Sequence, residues 1–459
     1  MDRLRRDEWR DVKDRAARIS FNCDLLHRLP LEIVALIAEH LHLADIILLR
    51  RVSRRWLQIL SSPSVCGAAI RAIVEGHLPI ADPARFMRRR LRIERGLPSQ
   101  TVRLESPLST VHDTLMNIRG VGYLNGIYAW LEGADGRTSV ALLNLWTGRL
   151  VQLTTDNREQ LVELRLSKEL VAAVSTRGYC HVWNITTEEH KDFRLSSLKF
   201  RHFLVNGTKV ALGYRDYLVH WSFETQSARI VQTGLNSITL ALHPIQDQFT
   251  IICVHERGNY DDHEEAAANP PGAMHMAPNL SRMHTETFIL DHSNGFKSAS
   301  SRVEDLPFNY EWIGMGSHPQ EIQPGQSSIL IKPTRATPAG EANPALYFTL
   351  TSSSDIAVHT LPPHLFKITN LVRLETGVVY APTTSKDFLV ILKSDDMGAL
   401  PASIPMRWFQ DIVQRKAPCM NCHWMFGDSD FIVLVNLRHV EIWGFNDDCD
   451  LSHIASVDT

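Results

Sequence analysis

The chain has 459 residues, 44% of them hydrophobic and 22% charged, with a formal net charge of -3 at pH 7. This length allows two or three domains and a core that needs no disulfide staples, and the near-balanced charge argues against a dedicated nucleic-acid binder. No run approaches the roughly 18 apolar residues of a membrane-spanning helix, so neither nucleic acid nor membrane is an expected partner.

Residues 1–24 read as a charged helix or tail. They contain no apolar stretch of the secretory kind, and Asp2, Asp7, Glu8, Asp11 and Asp14 interrupt the arginines that a transit peptide would need. The 7 cysteines are therefore expected as reduced thiols, with the protein in the cytoplasm and/or nucleus.

Residues 25–73 predict a small all-α module of three helices. Pro30 suits the start of the first helix, where its missing N–H is not needed, and Ile33, Val34, Ile37 and Leu41 recur at helical spacing. Asp45 is placed to cap or charge the second helix, with Ile46, Leu49 and Val52 on one face. Ser53 restarts the pattern, and Val52, Trp56 and Leu60 form an i, i+4, i+8 stripe. A module this small buries little surface alone. Leu29, Ile37, Leu48 and Trp56 exceed what its core can hide, which predicts a helical partner.

The same stretch resembles the F-box. The residues that carry the resemblance are Leu29-Pro30, Glu32-Ile33, Ile37, Leu41, Asp45-Ile46 and Val52-Ser53-Arg54-Arg55-Trp56, in that order, followed by Pro63. The resemblance implies docking on a Skp-type adaptor, which bridges to a cullin and a RING subunit. The implied contacts are Leu29, Pro30, Ile33, Ile37, Leu41, Ile46, Leu48, Val52 and Trp56. The implied role is a non-catalytic substrate-recognition subunit of an SCF-type ubiquitin ligase. The alternatives are an adaptor-bound scaffold outside the ligase and a propeller enzyme.

Residues 74–108 read as a helical connector. Phe86, Leu91 and Ile93 give a weak helical pattern that Gly96 and Pro98 end. The arginine run from Arg88 to Arg95 is expected as a solvated helix face rather than a nuclear address or nucleic-acid patch.

From residue 109 to 459 the texture becomes all-β, with short Val, Ile, Leu, Phe and Trp runs between Gly, Asn, Asp and Ser turns. The runs at 140–153, 180–193 and 217–230 look alike, each a strand, a polar turn and a strand. Asn144 and Asn184 stand 40 positions apart and Trp183 and Trp221 38 apart, and DFIVLVNLRHVEIWGFND at 430–447 repeats the theme. A period near 40 with Trp close to a strand end marks a propeller blade. The fold class is therefore multidomain, a small all-α module followed by an all-β propeller-like domain of six to seven blades. The β part resembles a WD-repeat propeller loosely, because the Trp-Asp pair has become Trp183-Asn184, Trp221-Ser222 and Trp443-Gly444. The whole is similar in texture to F-box substrate receptors of filamentous fungi. Residues 256–284 break the period and read as a mobile loop insertion, and 333–344 as a long hairpin loop.

Three motifs are read down rather than up. Cys419, Cys422 and His423 fit a haem-attachment pattern, but no export signal accompanies it and no second cysteine pair completes a zinc site, so a structural role is expected. Asp291-His292-Ser293 cannot form a triad as strand neighbours, and Asn294-Gly295 predicts a tight turn. Lone glycine pairs at Gly120/Gly122 and Gly314/Gly316 support no nucleotide site. No catalytic residue, metal or cofactor is assigned. Arg177 and Arg215 fall in the same turn of successive repeats, 38 positions apart. In WD-repeat F-box receptors, arginines in a similar turn face a phosphorylated target, so the resemblance implies substrate binding there, by guanidinium forks that suit phosphate.

Overall fold

The computed structural model describes residues 26, 29–71, 82–105, 119–132, 138–233, 239–243, 246–256, 281–291, 295–305, 310–311, 320–323, 326–333, 345–350, 356–361, 372–373, 378–382, 388–393, 413–416, 424–436 and 439–454. Two compact units divide the chain between Arg92 and Ile93. The charged N-terminal segment, the Cys419/Cys422/His423 motif and Gly314/Gly316 lie outside the described residues.

The first unit contains four short helices, α1 (Leu31–Glu39), α2 (Leu43–Leu49), α3 (Arg54–Leu60) and α4 (Pro63–Arg71), and most of a fifth, α5 (Pro83–Arg95). Pro30 occupies the N-cap of α1 in extended conformation. Ser53 caps α3, its hydroxyl accepting the Trp56 N–H at 3.1 Å, an ordinary use of serine at a helix start. Asp45 lies in the first turn of α2 and charges the helix start as expected, but it is not the cap. That helix begins two residues earlier, and His42 accepts the Ala44 N–H through Nδ1. The fourth helix is absent from the sequence expectation, although it is the main packing partner of α1. Its Val65, Cys66, Ala68, Ala69 and Ile70 are buried, and small side chains let two helices approach closely. The core joins them to Val34, Ala38, Leu43, Ile46, Leu60 and Met87.

Gly96, in the left-handed region at φ 59°, ends α5 as expected. The arginine run on this helix is not a wholly solvated face. Arg90 and Glu94 are buried, while Arg88 and Arg95 are exposed.

The second unit holds seven antiparallel sheets among the described residues. Blade 1 comprises Val121–Leu124, Ile127–Glu132, Ser139–Asn144 and Leu150–Thr154. Blade 2 comprises Leu161–Leu166, Leu170–Ser175, Tyr179–Asn184 and His190–Arg194. Blade 3 comprises His202–Asn206, Lys209–Gly213, Tyr217–Ser222 and Ala228–Gln232. Blade 4 comprises Thr239–Leu242, Gln248–Glu256, Ser281–Asp291 and Gly295–Asp305. Blade 5 is built on Tyr310–Glu311, Gln326–Pro333, Ala345–Leu350 and Ile356–Leu361, with Gln320–Gln323 beside its second strand. Blade 6 comprises Val372–Arg373, Val378–Pro382, Phe388–Lys393 and Val413–Lys416. Blade 7 takes Trp424–Gly427, Phe431–Val435 and His439–Gly444 from the end of the sequence. Its fourth strand is Gln100–Glu105, paired with His439–Gly444 over its whole length. This strand falls inside the expected connector and closes the β unit.

The architecture is propeller-like. Blades 1, 2, 3, 4 and 6 are simple meanders, and the first strands of blades 7, 1, 2, 3 and 4 lie beside one another in sequence. Middle strands such as Leu170–Ser175 and Lys209–Gly213 are buried throughout, as sheets covered on both faces require. Trp183, Trp221 and Trp443 sit one residue before the end of third strands, in agreement with the period. The turn after the third strand repeats as well in blades 1 to 3. Asn144 and Asn184 accept two backbone N–H groups each through Oδ1, and Gly148, Glu188 and Gln226 all take positive φ, between 53° and 68°. Polar ties link neighbouring first-to-second turns. Ser167 donates to the Gly207 carbonyl at 2.7 Å, Asn206 to the Leu242 carbonyl at 2.6 Å, and Tyr123 to the Asp428 carboxylate at 2.6 Å.

The insertion of blade 4 is shorter than expected, because its second strand runs to Glu256 and its third starts at Ser281. Residues 257–280 lie outside the described set. Asp291 pairs with Gly295 across a hairpin, in agreement with the turn expected there, and residues 334–344 connect two antiparallel strands of blade 5.

Candidate functional site

Helix α1 turns Val34 and Ala38 to the core and leaves Ile33 and Ile37 on its outer side, 41% and 40% exposed. Leu29, Leu48 and Val52 add exposed apolar surface, Val52 reaching 61%. Pro30 is exposed beside them. Isolated exposed leucines need no explanation, but a concentration of them on a unit this small does. Three further exposed residues, Leu31, Leu36 and Leu57, were not singled out from the sequence. Leu31 and Leu36 line a groove of about 400 Å³ with Glu32, Ala35, Glu39, Ser64 and Arg71, and Arg71 pairs with Glu39 at 3.2 Å.

Three expected contact residues need correction or refinement. Ile46 is completely buried among the helices and offers no atom to a partner. Leu41 and Trp56 are partly buried and pack on that same core, so each supports the module as well as any contact. Arg50, which the sequence reading passed over, holds the unit from within. Its guanidinium donates twice to the Leu60 carbonyl, at 3.2 and 2.8 Å, and reaches Cys66 Sγ and Met87 Sδ. It thereby satisfies a carbonyl at the end of α3, where helices leave acceptors unpaired. Burial pushes the Cys66 thiol up from its ordinary range, against the pull of Arg50, and the thiol acts as a packing group.

Residues 26–66 match the F-box domain family. The chain carries an F-box. F-box domains bind Skp-type adaptors, and the exposed apolar residues lie within the matched segment. A comparison with curated proteins finds no match. Among solved structures, a chain of a mitotic checkpoint complex is similar at 10% identity and a TM-score of 0.44, over 76% of this chain and 94% of that one. Virginiamycin B lyase from Staphylococcus aureus is similar at 9% identity and a TM-score of 0.40, over 75% and 99%. A streptogramin B lyase is similar at 8% and 0.39, over 74% and 97%.

Beyond the F-box, Arg177 and Arg215 occupy the turn between second and third strands of blades 2 and 3, as their spacing predicts. In a four-stranded meander, these turns and the loops between blades emerge at the same end. Arg158, Arg194, Lys199, Arg201 and Arg215 are exposed at this end and make no ion pair among the described residues. Asp156 and Asp216 are the exposed carboxylates beside them. The Arg215 turn is braced by Tyr214 and Tyr217, whose rings stack at 4.5 Å. Their hydroxyls meet the blade 2–3 loop at the Ser197 carbonyl and Ser196 Oγ. Arg177 lies 3.9 Å from buried Glu159 and keeps a 65% exposed side chain. No group of metal-ligand side chains forms among the described residues.

Proposed function

We propose that the chain is the substrate-recognition subunit of an SCF-type ubiquitin ligase. It binds a Skp-type adaptor, and through it a cullin and RING subunit, by the F-box, and holds a target protein on the β unit. Such a subunit performs no bond chemistry and acts by raising the local concentration of target lysines. The observation that carries the reading is the apolar surface of Leu29, Ile33, Ile37, Leu48 and Val52 within the F-box. Such residues, once buried in an interface, supply most of its binding energy. Target binding is assigned to the end of blades 2 and 3 that bears Arg177 and Arg215, where exposed cations suit an anionic ligand.

Affinity purification of the intact chain beside a Leu29→Ala/Ile33→Ala/Leu48→Ala variant tests the first half. All three side chains are exposed, so the variant keeps its fold. Adaptor and cullin co-purify with the intact chain, and each truncation costs about 2 kcal/mol, roughly 30-fold in affinity. Undiminished adaptor capture by the variant refutes the ligase reading. Proteins retained by both forms are target candidates, and Arg177→Glu with Arg215→Glu releases them while adaptor capture persists.

A further inference from the structure

Beneath the Arg177 turn, a row of polar side chains crosses blade 2. The loop entering the blade supplies Glu159, the third strand His181 and the fourth strand His190. Glu159 Oε2 lies 3.3 Å from His181 Nε2, and His181 Nδ1 lies 3.2 Å from His190 Nε2. The Glu159 and His181 side chains are 5% and 7% exposed. His181 and His190 stack at 5.4 Å, and Trp183 covers His190 at 4.9 Å. The other charged or titratable groups facing the row are Asp156 from the loop, Arg177 from the turn, Tyr179 from the third strand and Asp192 from the fourth. The cluster around Trp183 joins it to apolar side chains of blade 1, among them Leu131, Val140 and Leu153.

Hydrogen-bond valence restricts the states of this row. A carboxylate only accepts, and a neutral imidazole has one N–H. Neutral His181 therefore donates from Nε2 to Glu159 and accepts at Nδ1 from His190 Nε2–H. One added proton can be shared by the pair with both bonds kept. A second would set two N–H groups against each other across 3.2 Å. With that one proton on board, the negative charge of Glu159 is offset inside the row. Without it, the charge is held by the Ser175 hydroxyl, which donates to the carboxylate, and by Arg177, 3.9 Å away on the surface side.

We propose that the His181–His190 pair couples proton uptake to anion binding at the Arg177 turn. The protonated row raises the affinity of the turn for a phosphate- or sulfate-type group, and a bound group raises the proton affinity of the row by the same factor. The inference rests on the reading that this end of the β unit takes an anionic target. A single charge acting over a few ångströms at a partly solvated site corresponds to about a fivefold change. Burial holds the His190 imidazole below its ordinary value, with neighbouring His181 acting in the same direction, so the proton is taken up on the acid side of neutrality.

The test is an NMR titration of the full chain carrying isotope-labelled histidine, in sodium chloride and in sodium sulfate. Sulfate serves as the probe because its own charge stays constant through the range. His190→Gln assigns the signals at a half-buried site that the fold tolerates. Sulfate is expected to raise the midpoint of the pair by about 0.7 pH, the logarithm of fivefold, in the wild type and not in Arg177→Gln. Sulfate that perturbs the Arg177 turn without moving the midpoint overturns the coupling and leaves the anion-binding reading standing. Sulfate that perturbs nothing at this end overturns both. A sulfate-dependent midpoint that persists at His181 in His190→Gln overturns the assignment to the pair.

Discussion

At the scale of single residues, the guanidinium of Arg50 and the imidazole of His220 do work that no motif announces. Arg50 joins the end of α3 to Cys66 of α4 and Met87 of α5, beside the weak bond that the Cys66 thiol itself donates to the Leu60 carbonyl. Arg50→Ala leaves the Leu60 carbonyl with only the weak Cys66 thiol as donor and is expected to destabilise the helical unit by about 2 kcal/mol, read as a lower midpoint for loss of helical signal in urea. Arg50→Lys recovers little of this, because an ammonium cannot present the same planar fork. His220, 2% exposed in the third strand of blade 3, is pushed down to about 4 by burial, and its Nε2 has no hydrogen-bond partner among the described residues. Its folded value lies below the unfolded 6.5, so its contribution is fully present above pH 6.5 and is lost as pH falls through 4. The difference amounts to about 3 kcal/mol. Melting curves for wild type and His220→Leu, taken near neutrality and near pH 4, check it. The wild type should lose more stability on acidification, and parallel losses would contradict the assignment.

Elements differ in how plainly they can be read. The third strands of blades 1 to 3 are legible because burial on both faces makes each a continuous apolar run, and because the turn that follows repeats its chemistry. Asn144 and Asn184 each accept the N–H groups two and three residues on, so a short amide recurs where the backbone needs an acceptor. Asn184→Ala removes two such bonds and is expected to cost about 1 kcal/mol in thermal stability, with Asn184→Asp close to neutral. Helix α4 is not legible in the same way. Its Cys66, Ala68 and Ala69 carry little hydrophobic signal, and their burial follows from the close approach of α1. Within the F-box, the alternation that places Ile46 and Leu48 in one apolar stretch does not tell which faces inward. Packing decides it, with Ile46 at 0% and Leu48 at 51% exposure. The Glu159–His181–His190 row is hidden for a related reason. Strand pairing, not sequence spacing, brings Trp183 opposite His190 and His181 opposite Asp192.

On the scale of the whole β unit, closure depends on a strand that composition disguises. Gln100–Glu105 has a single-sided burial pattern, with only Val102 and Leu104 inward, and its partner lies at the far end of the sequence. Its contribution comes from three sources. Six residue pairs join it to His439–Gly444. Ser99 Oγ donates to the Gly444 and Asn446 carbonyls at 2.8 and 3.0 Å. Gln100 Oε1 accepts the Leu451 N–H at 2.7 Å, fastening the segment that inserts Cys449, Leu451 and Ile454 into the core shared by blades 7 and 1. A closed ring of sheets gains little from its closing strand until every blade is in place. Loss of that strand should therefore be felt across the unit and not only in blade 7. Val102→Pro removes a backbone donor within the ladder and forces the strand out of register. It is expected to lower the melting temperature of the β unit by several degrees and to raise amide exchange in the third strands of blades 1 and 2 as well as in Phe431–Val435. Val102→Ala keeps the ladder, loses only side-chain packing, and should confine its effect to blades 7 and 1. Equal and local exchange in both variants would mean that the blades fold independently and that the strand closes nothing.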